Sequence, residues 1–233
     1  MLKITYWSDY ACPYCYIAEA RLKKAIASMP RGNEFEIEMK AFQLDPSAGK
    51  HAAEDTQTRF AKKYRIPFDD AGKRIDAISR LGIAEGLDFR YATTRFTNTA
   101  DAHRLTKLAY RHNDPALYER VIESLFKAYF TDNLELADVA LLQKIGEDAG
   151  LDPDEVSALL ASEEYQDEVA NDQLRAARLG IYAVPHFVIG KYTVPGAQSA
   201  EVIKSVILEA LGDAGNSELS GGMCCGPDGC RLG

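Results

Sequence analysis

The chain has 233 residues, and its 27 Lys and Arg against 35 Asp and Glu give a net charge of −8; that length fits one large domain or two small ones. A composition of 46% hydrophobic and 27% charged residues belongs to a folded protein and not to a disordered chain. The acidic balance argues against nucleic acid or an anionic membrane as partner, and no apolar run approaches the roughly 20 residues that span a bilayer.

Residues 2–7 alternate Leu, Ile and Tyr with Lys, Thr and Trp, which predicts a short strand. Ser8 to Ala11 reads as a turn. From Pro13 the apolar positions Ile17, Leu22, Ala25, Ile26 and Met29 recur at helical spacing until Pro30 stops them. Residues 34–42 alternate at period two and predict a second strand. Two strands joined by one helix make a right-handed βαβ unit with parallel strands. The middle of the chain, about 52 to 178, is helical in pattern, with helices expected at 54–64, 68–85, 98–112, 115–130, 136–149, 153–161 and 163–179. Residues 87–94 read as an extended connector. Asp114-Pro115 and Asp152-Pro153 each look like a helix cap followed by proline at the first helical position. After Gly180, residues 182–195 predict two short strands joined at Gly190-Lys191, then a helix at 199–211. Gly212 to Gly222 reads as a flexible linker that leads into a cysteine-rich end. This order predicts a discontinuous α/β unit, 1–51 with 180–212, interrupted by a helical insertion at 52–179 and followed by a tail at 213–233.

Five cysteines are too few for a disulfide scaffold, and their placement is uneven: Cys12 and Cys15 lie near the start, Cys224, Cys225 and Cys230 near the end, with none between. The opening residues lack the basic start and long apolar segment of a signal peptide, so the expected compartment is the cytoplasm, where structural disulfides are rare. Cys12-Pro13-Tyr14-Cys15 falls where a strand hands over to a helix. A helix N-terminus carries unpaired N–H groups and positive partial charge, which stabilise a thiolate. Cys12 is therefore the expected exposed nucleophile, and Cys15, one turn further in, the more buried thiol that resolves a mixed disulfide. Two other readings stand beside this one. Two buried structural thiols would sit poorly in a polar turn, and a zinc half-site would need two ligands that only the distant tail offers. No metal is assigned to the pair.

Strand, Cys12-Pro13-Tyr14-Cys15, helix, strand, helical insertion and then Val184-Pro185 before a hairpin and helix resembles the DsbA family of thioredoxin-fold oxidoreductases. Ser8 to Cys15, Ala41 to Pro46, Asn98 to Leu105 and Val184 to Phe187 resemble more narrowly its FrnE-type branch, described as predicted dithiol–disulfide isomerases linked by name to polyketide biosynthesis. The likeness covers about residues 1–212. It implies a thioredoxin fold, a cis Pro185 packed against the cysteine pair, a Val184 backbone that pairs with an extended substrate, and a helical block over the active-site face. Protein or peptide disulfides are then the implied substrates, with thioredoxin or the glutathione system as electron partner and no bound cofactor. Extracytoplasmic members carry histidine between their cysteines, where this chain has Tyr14, so the pair is expected to be less oxidising than DsbA's roughly −120 mV. The Pro-Tyr dipeptide also resembles glutaredoxins, which keeps glutathione in view as reductant.

Asp9, His103 and His186 are candidate site-shaping residues: Asp9 as a turn-former or a tuner of the thiol, His103 as a helix-face histidine or a proton carrier, and His186 facing either core or groove. Tyr14 is a candidate apolar platform for substrate. In the tail, Gly226-Pro227-Asp228-Gly229 is turn chemistry that brings Cys225 and Cys230 together. That pair reads as a second redox centre, as incidental thiols on a solvated tail, or as a soft-metal site. Two further functions stay open at this point: a glutathione-dependent isomerase or transferase of the same fold, and a redox-inert metal-handling module.

Overall fold

The structure, a computed structural model, describes residues 1–29 and 35–219. Strand β1, Leu2–Ser8, is central because both of its edges are taken. On one side it pairs in parallel with β2, Phe35–Ala41, setting Ile4 opposite Ile37 and Tyr6 opposite Met39. On the other it pairs antiparallel with β3, His186–Ile189, which in turn pairs with β4, Tyr192–Pro195. The sheet order is β2-β1-β3-β4.

Because neighbouring strand residues point to opposite faces, Tyr6 and Trp7 separate the two sides of the sheet. Tyr6 lies in the main core beside helix α1, Pro13–Ala27, and donates its phenolic O–H to buried Glu19 at 2.6 Å. Trp7 packs with Ala176 and Ile181 in a small second cluster, and its indole N–H donates to the Asp172 carbonyl at 2.9 Å.

Seven helices fill the space between β2 and β3: α2 Thr56–Tyr64, α3 Phe68–Ala84, α4 Ala100–Arg111, α5 Pro115–Phe130, α6 Val139–Ala149, α7 Pro153–Ala161 and α8 Gln166–Arg178. The final helix, α9 Ala200–Leu219, packs against α1, β3 and β4, while α8 lies on β2. The connector read as extended at 87–94 carries a single 3-10 turn at Tyr91–Thr93. Helix α9 runs through Gly212 to Leu219, the first part of the stretch expected to be a linker. Cys224, Cys225 and Cys230, and with them the expected second redox pair, lie outside the described residues.

One core joins the insertion to the sheet. Tyr16 of α1 stacks on Phe126 and Phe130 of α5 at 5.0 and 5.7 Å, and Phe89 stacks on Phe130 at 4.8 Å. Such pairs contribute about 0.5–1.5 kcal/mol each beyond the area they bury. The Phe89 ring sits against α3 where Gly82 leaves room, since a Cβ there would meet the ring at 2.4 Å. The insertion also covers the outer edge of β2. Met39 N–H donates to the Tyr118 hydroxyl, Ala41 N–H to the Asp172 carboxylate and, just past the strand, Gln43 N–H to the Gln173 side chain, at 2.8, 3.0 and 3.2 Å. A bare strand edge invites pairing with another chain, and these three side chains occupy it.

Candidate active site

The turn after β1 is built from its own backbone. Cys12 N–H donates to the Asp9 carbonyl at 3.0 Å, and the Cys12 carbonyl in turn accepts from Cys15 N–H at 3.0 Å. Cys12 is the N-cap of α1, with extended φ −92° and ψ 115°, and Pro13 begins the helix. No side chain caps this terminus, so none competes with the Cys12 sulfur for the positive partial charge of the helix end.

Both cysteines carry free thiols. Cys15 is the deeper, at 1% exposure, but Cys12 is only 5% exposed, which corrects the expectation of an exposed nucleophile. The loop before β3 accounts for part of the cover: the Cys12 thiol donates to the Val184 carbonyl at 3.6 Å. The Val184–Pro185 peptide is cis, as the resemblance implied, and the Pro185 carbonyl is held by Gly196 N–H at 2.8 Å. Burial pushes the Cys15 thiol well above its ordinary range, and the Cys12 sulfur beside it adds to the effect. The Ser8 side chain and the Asp9 backbone oppose the rise. Tyr14, between the cysteines, is 41% exposed.

Asp9 is buried and bridges three segments. Its Oδ2 accepts from Leu44 N–H at 2.7 Å and its Oδ1 from Ala11 N–H at 3.3 Å. His103 Nε2, from α4, stands 3.5 Å from the same Oδ1 and has no hydrogen-bond partner among the described residues. The Tyr10 ring leans on the imidazole at 5.0 Å, and its hydroxyl bonds to the Thr106 hydroxyl. Thus Asp9 and His103, far apart in sequence, meet beneath the cysteine turn. His186 does not join them. It pairs across β1 with Trp7, so it shares the face covered by α8, where partial burial lowers its imidazole from the ordinary value.

Helix α2, the 3-10 turn and α5 supply neighbours that periodicity did not single out. The Lys63 amine and the phenols of Tyr64, Tyr91 and Tyr129 all interact electrostatically with Cys12. Burial and the Arg59 guanidinium lower the Lys63 amine from its ordinary value, while Cys12, Asp9 and Asp45 oppose that shift. Cations on a short polar helix read as a solvated face, and nothing in the local pattern says which end of the insertion meets the cysteines. Among the described residues no cluster of three or more His, Cys, Asp or Glu is placed to hold a metal. No helix there is long and apolar enough to cross a membrane.

Residues 3–208 match the profile of the DSBA-like thioredoxin domain. A probable DsbA oxidoreductase from Streptomyces coelicolor is 33% identical, with all of both chains covered and a TM-score of 0.84. A 2-hydroxychromene-2-carboxylate isomerase shares the fold at 15% identity and a TM-score of 0.68, covering 93% of this chain and 98% of that one. The cytosolic disulfide reductase DsbM from Pseudomonas aeruginosa shares it at 16% identity and a TM-score of 0.58, with the same coverage.

Proposed function

The chain belongs to the DSBA-like thioredoxin domain family, and from that premise we propose that it is a thiol–disulfide oxidoreductase acting through Cys12 and Cys15 on protein or peptide disulfides. The observation that carries this reading is the placement of Cys12 at the uncapped N-terminus of α1, against the Val184 carbonyl, with Cys15 one turn inside. A thiolate at Cys12 attacks one sulfur of a substrate disulfide. The Cys12–substrate bond forms, the substrate S–S bond breaks, and its other sulfur leaves as a thiolate that takes a proton from solvent. Cys15 then gives up its proton and attacks the Cys12 sulfur, which closes the Cys12–Cys15 disulfide and releases the second substrate thiol. The substrate has gained two electrons and the enzyme has lost them; two external thiols, from thioredoxin or glutathione, restore the dithiol. Run backwards, the same steps form disulfides. Support for the reducing direction and a cytoplasmic setting comes from the fold shared with the cytosolic reductase DsbM, a protein also known with GSH.

Trapping tests the order of attack. The Cys15→Ser variant accumulates a mixed disulfide with a scrambled protein substrate whose cysteines are all in disulfides, whereas Cys12→Ser forms none and reduces insulin at the background rate. Insulin reduction by Cys12→Ser at the parent rate overturns the mechanism. A second reading, isomerisation of a small molecule in the same groove, draws on the fold shared with 2-hydroxychromene-2-carboxylate isomerase. It needs no resolving thiol, so it expects the Cys15→Ser variant to turn over like the parent.

A further inference from the structure

Arg59 and Lys63 lie four residues apart on α2, so they share one face of that helix. Like charges in this spacing disfavour the helix, and a carboxylate between or beside them is the usual remedy. None is supplied: among the described residues neither side chain enters an ion pair, whereas Lys62 on the same helix pairs with Glu54. The Arg59 guanidinium is fixed instead by the Phe96 ring, 3.1 Å beneath it. Lys63 is exposed and interacts electrostatically with Cys12, as does its neighbour Tyr64, which is half exposed. The groups of opposite sign that reach Lys63 are the reactive sulfur itself, Asp9, which is buried and spent on backbone N–H groups, and Asp45. A chain of net charge −8 therefore places Lys63 within electrostatic reach of its reactive sulfur, with Arg59 one turn back on the same helix face, and among the described residues neither is in ion-pair contact with a carboxylate.

We infer that Arg59 and Lys63 form an anion-recognition subsite beside Cys12, which selects disulfides carrying carboxylates next to the reacting sulfur. This rests on the oxidoreductase reading above and names its substrate class. A carboxylate-bearing disulfide that approaches a thiolate on an acidic protein is repelled at every step. Cations on this face offset that repulsion, and charges of one sign gathered at a site raise the encounter rate by about 10–10³-fold. Placement of Arg59 on Phe96 favours a planar, two-point contact with a carboxylate, and Lys63, its ammonium 5.7 Å from the Tyr64 ring centre, supplies a point charge.

Three small disulfides of different charge test the subsite in the full-length protein: anionic oxidised glutathione, neutral hydroxyethyl disulfide and cationic cystamine. The expected kcat/KM for the anionic probe exceeds that for the cationic one by about tenfold or more at low salt, and the ratio falls as salt screens the field. Lys63→Gln reduces the ratio and Lys63→Glu inverts it, with Lys63→Arg keeping it. A parallel pair of peptide disulfides, flanked by Asp or by Lys, separates the two sources of such a substrate. Preference confined to oxidised glutathione assigns the subsite to low-molecular-weight disulfides, and preference in both series assigns it to acidic cysteine segments generally. Equal turnover of anionic and cationic probes, unmoved by salt, overturns the subsite while leaving the oxidoreductase reading intact. Absence of turnover with all three small probes, with both peptide disulfides and with insulin overturns the oxidoreductase reading itself.

Discussion

Cys15 is held in an environment that favours its neutral form, and this has a consequence for stability as well as for chemistry. Burial raises its thiol in the folded protein, while in the unfolded chain it titrates near 8.5. Below that value both states keep the proton and folding loses nothing. As pH rises past about 8.5 the unfolded chain ionises first, so stability falls until the folded thiol also titrates. The reduced parent is therefore expected to lose more stability than Cys15→Ser between about pH 8 and pH 10, as read by urea midpoints. Equal losses in the two proteins contradict the assignment. Asp9 shows how much a single residue can conceal from sequence reading. Its place three residues before Cys12 marks a turn, but Leu44 N–H and His103 come to it from other parts of the chain, and no local pattern announces them. The cysteines were legible because their chemistry follows from a helix terminus, a local feature; that Val184 and Pro185 come to them followed only from the family resemblance and from no local pattern, because Val184 arrives from 172 residues away.

At the level of elements, caps and alternation were readable, and boundaries moved where a side chain intervened. Asp114 and Asp152 accept from the N–H groups of the first turns of α5 and α7, as their proline-following sequences implied. Helix α6 was expected from residue 136 but begins at Val139, because the Asp138 carboxylate accepts from Ala140 and Leu141 N–H and sets the start. Leu136, released from the helix, is fully buried. Likewise α4 starts at Ala100 and not 98, since the Asn98 side chain takes Ala100 N–H and reaches back to the Pro46 carbonyl. One connection has a measurable pH signature. Glu135, just before α6, binds Ala52 N–H, His51 and Arg95, and these hold its carboxyl down to about 2. A carboxylate depressed in the folded state adds stability above its unfolded value near 4.3 and loses it as pH falls toward 2. Glu135→Gln is expected to melt below the parent at neutral pH, with the gap closing as the solution is acidified toward pH 2. A gap that persists unchanged there contradicts the ionic clamp. Steric fit gives a second test: Gly82→Ala drives a methyl group into Phe89 and is expected to cost about 1–3 kcal/mol by thermal melting.

Across the whole molecule, the α/β order and the helical insertion followed from periodicity, because strands and helices leave different repeats in the chain. How the insertion seats on the sheet did not, because it depends on polar side chains meeting over long sequence separations. Asp172 of α8 is the principal meeting point. It pairs with Lys107 of α4 and with Lys40 of β2, the latter at 3.3 Å, and accepts Ala41 N–H. Lys40 continues to Glu38, and Glu38 to Lys3 of β1 at 3.0 Å. Removing one partner from a buried ionic cluster typically costs about 3–5 kcal/mol, since charges are stranded. Asp172→Ala is expected to fall in that range by denaturant unfolding and to speed amide exchange along β2. A loss below about 1 kcal/mol means the cluster is ornamental to the seating of the insertion. That seam also has its own optical label. The chain has a single tryptophan, and Trp7 sits where α8, the sheet and Val184 converge. Ultraviolet excitation of its indole thus reads one location, while circular dichroism averages over every helix. Coincidence of the two unfolding curves would mean that the insertion and the sheet come apart together, and a fluorescence change that runs ahead would time their separation without any added dye.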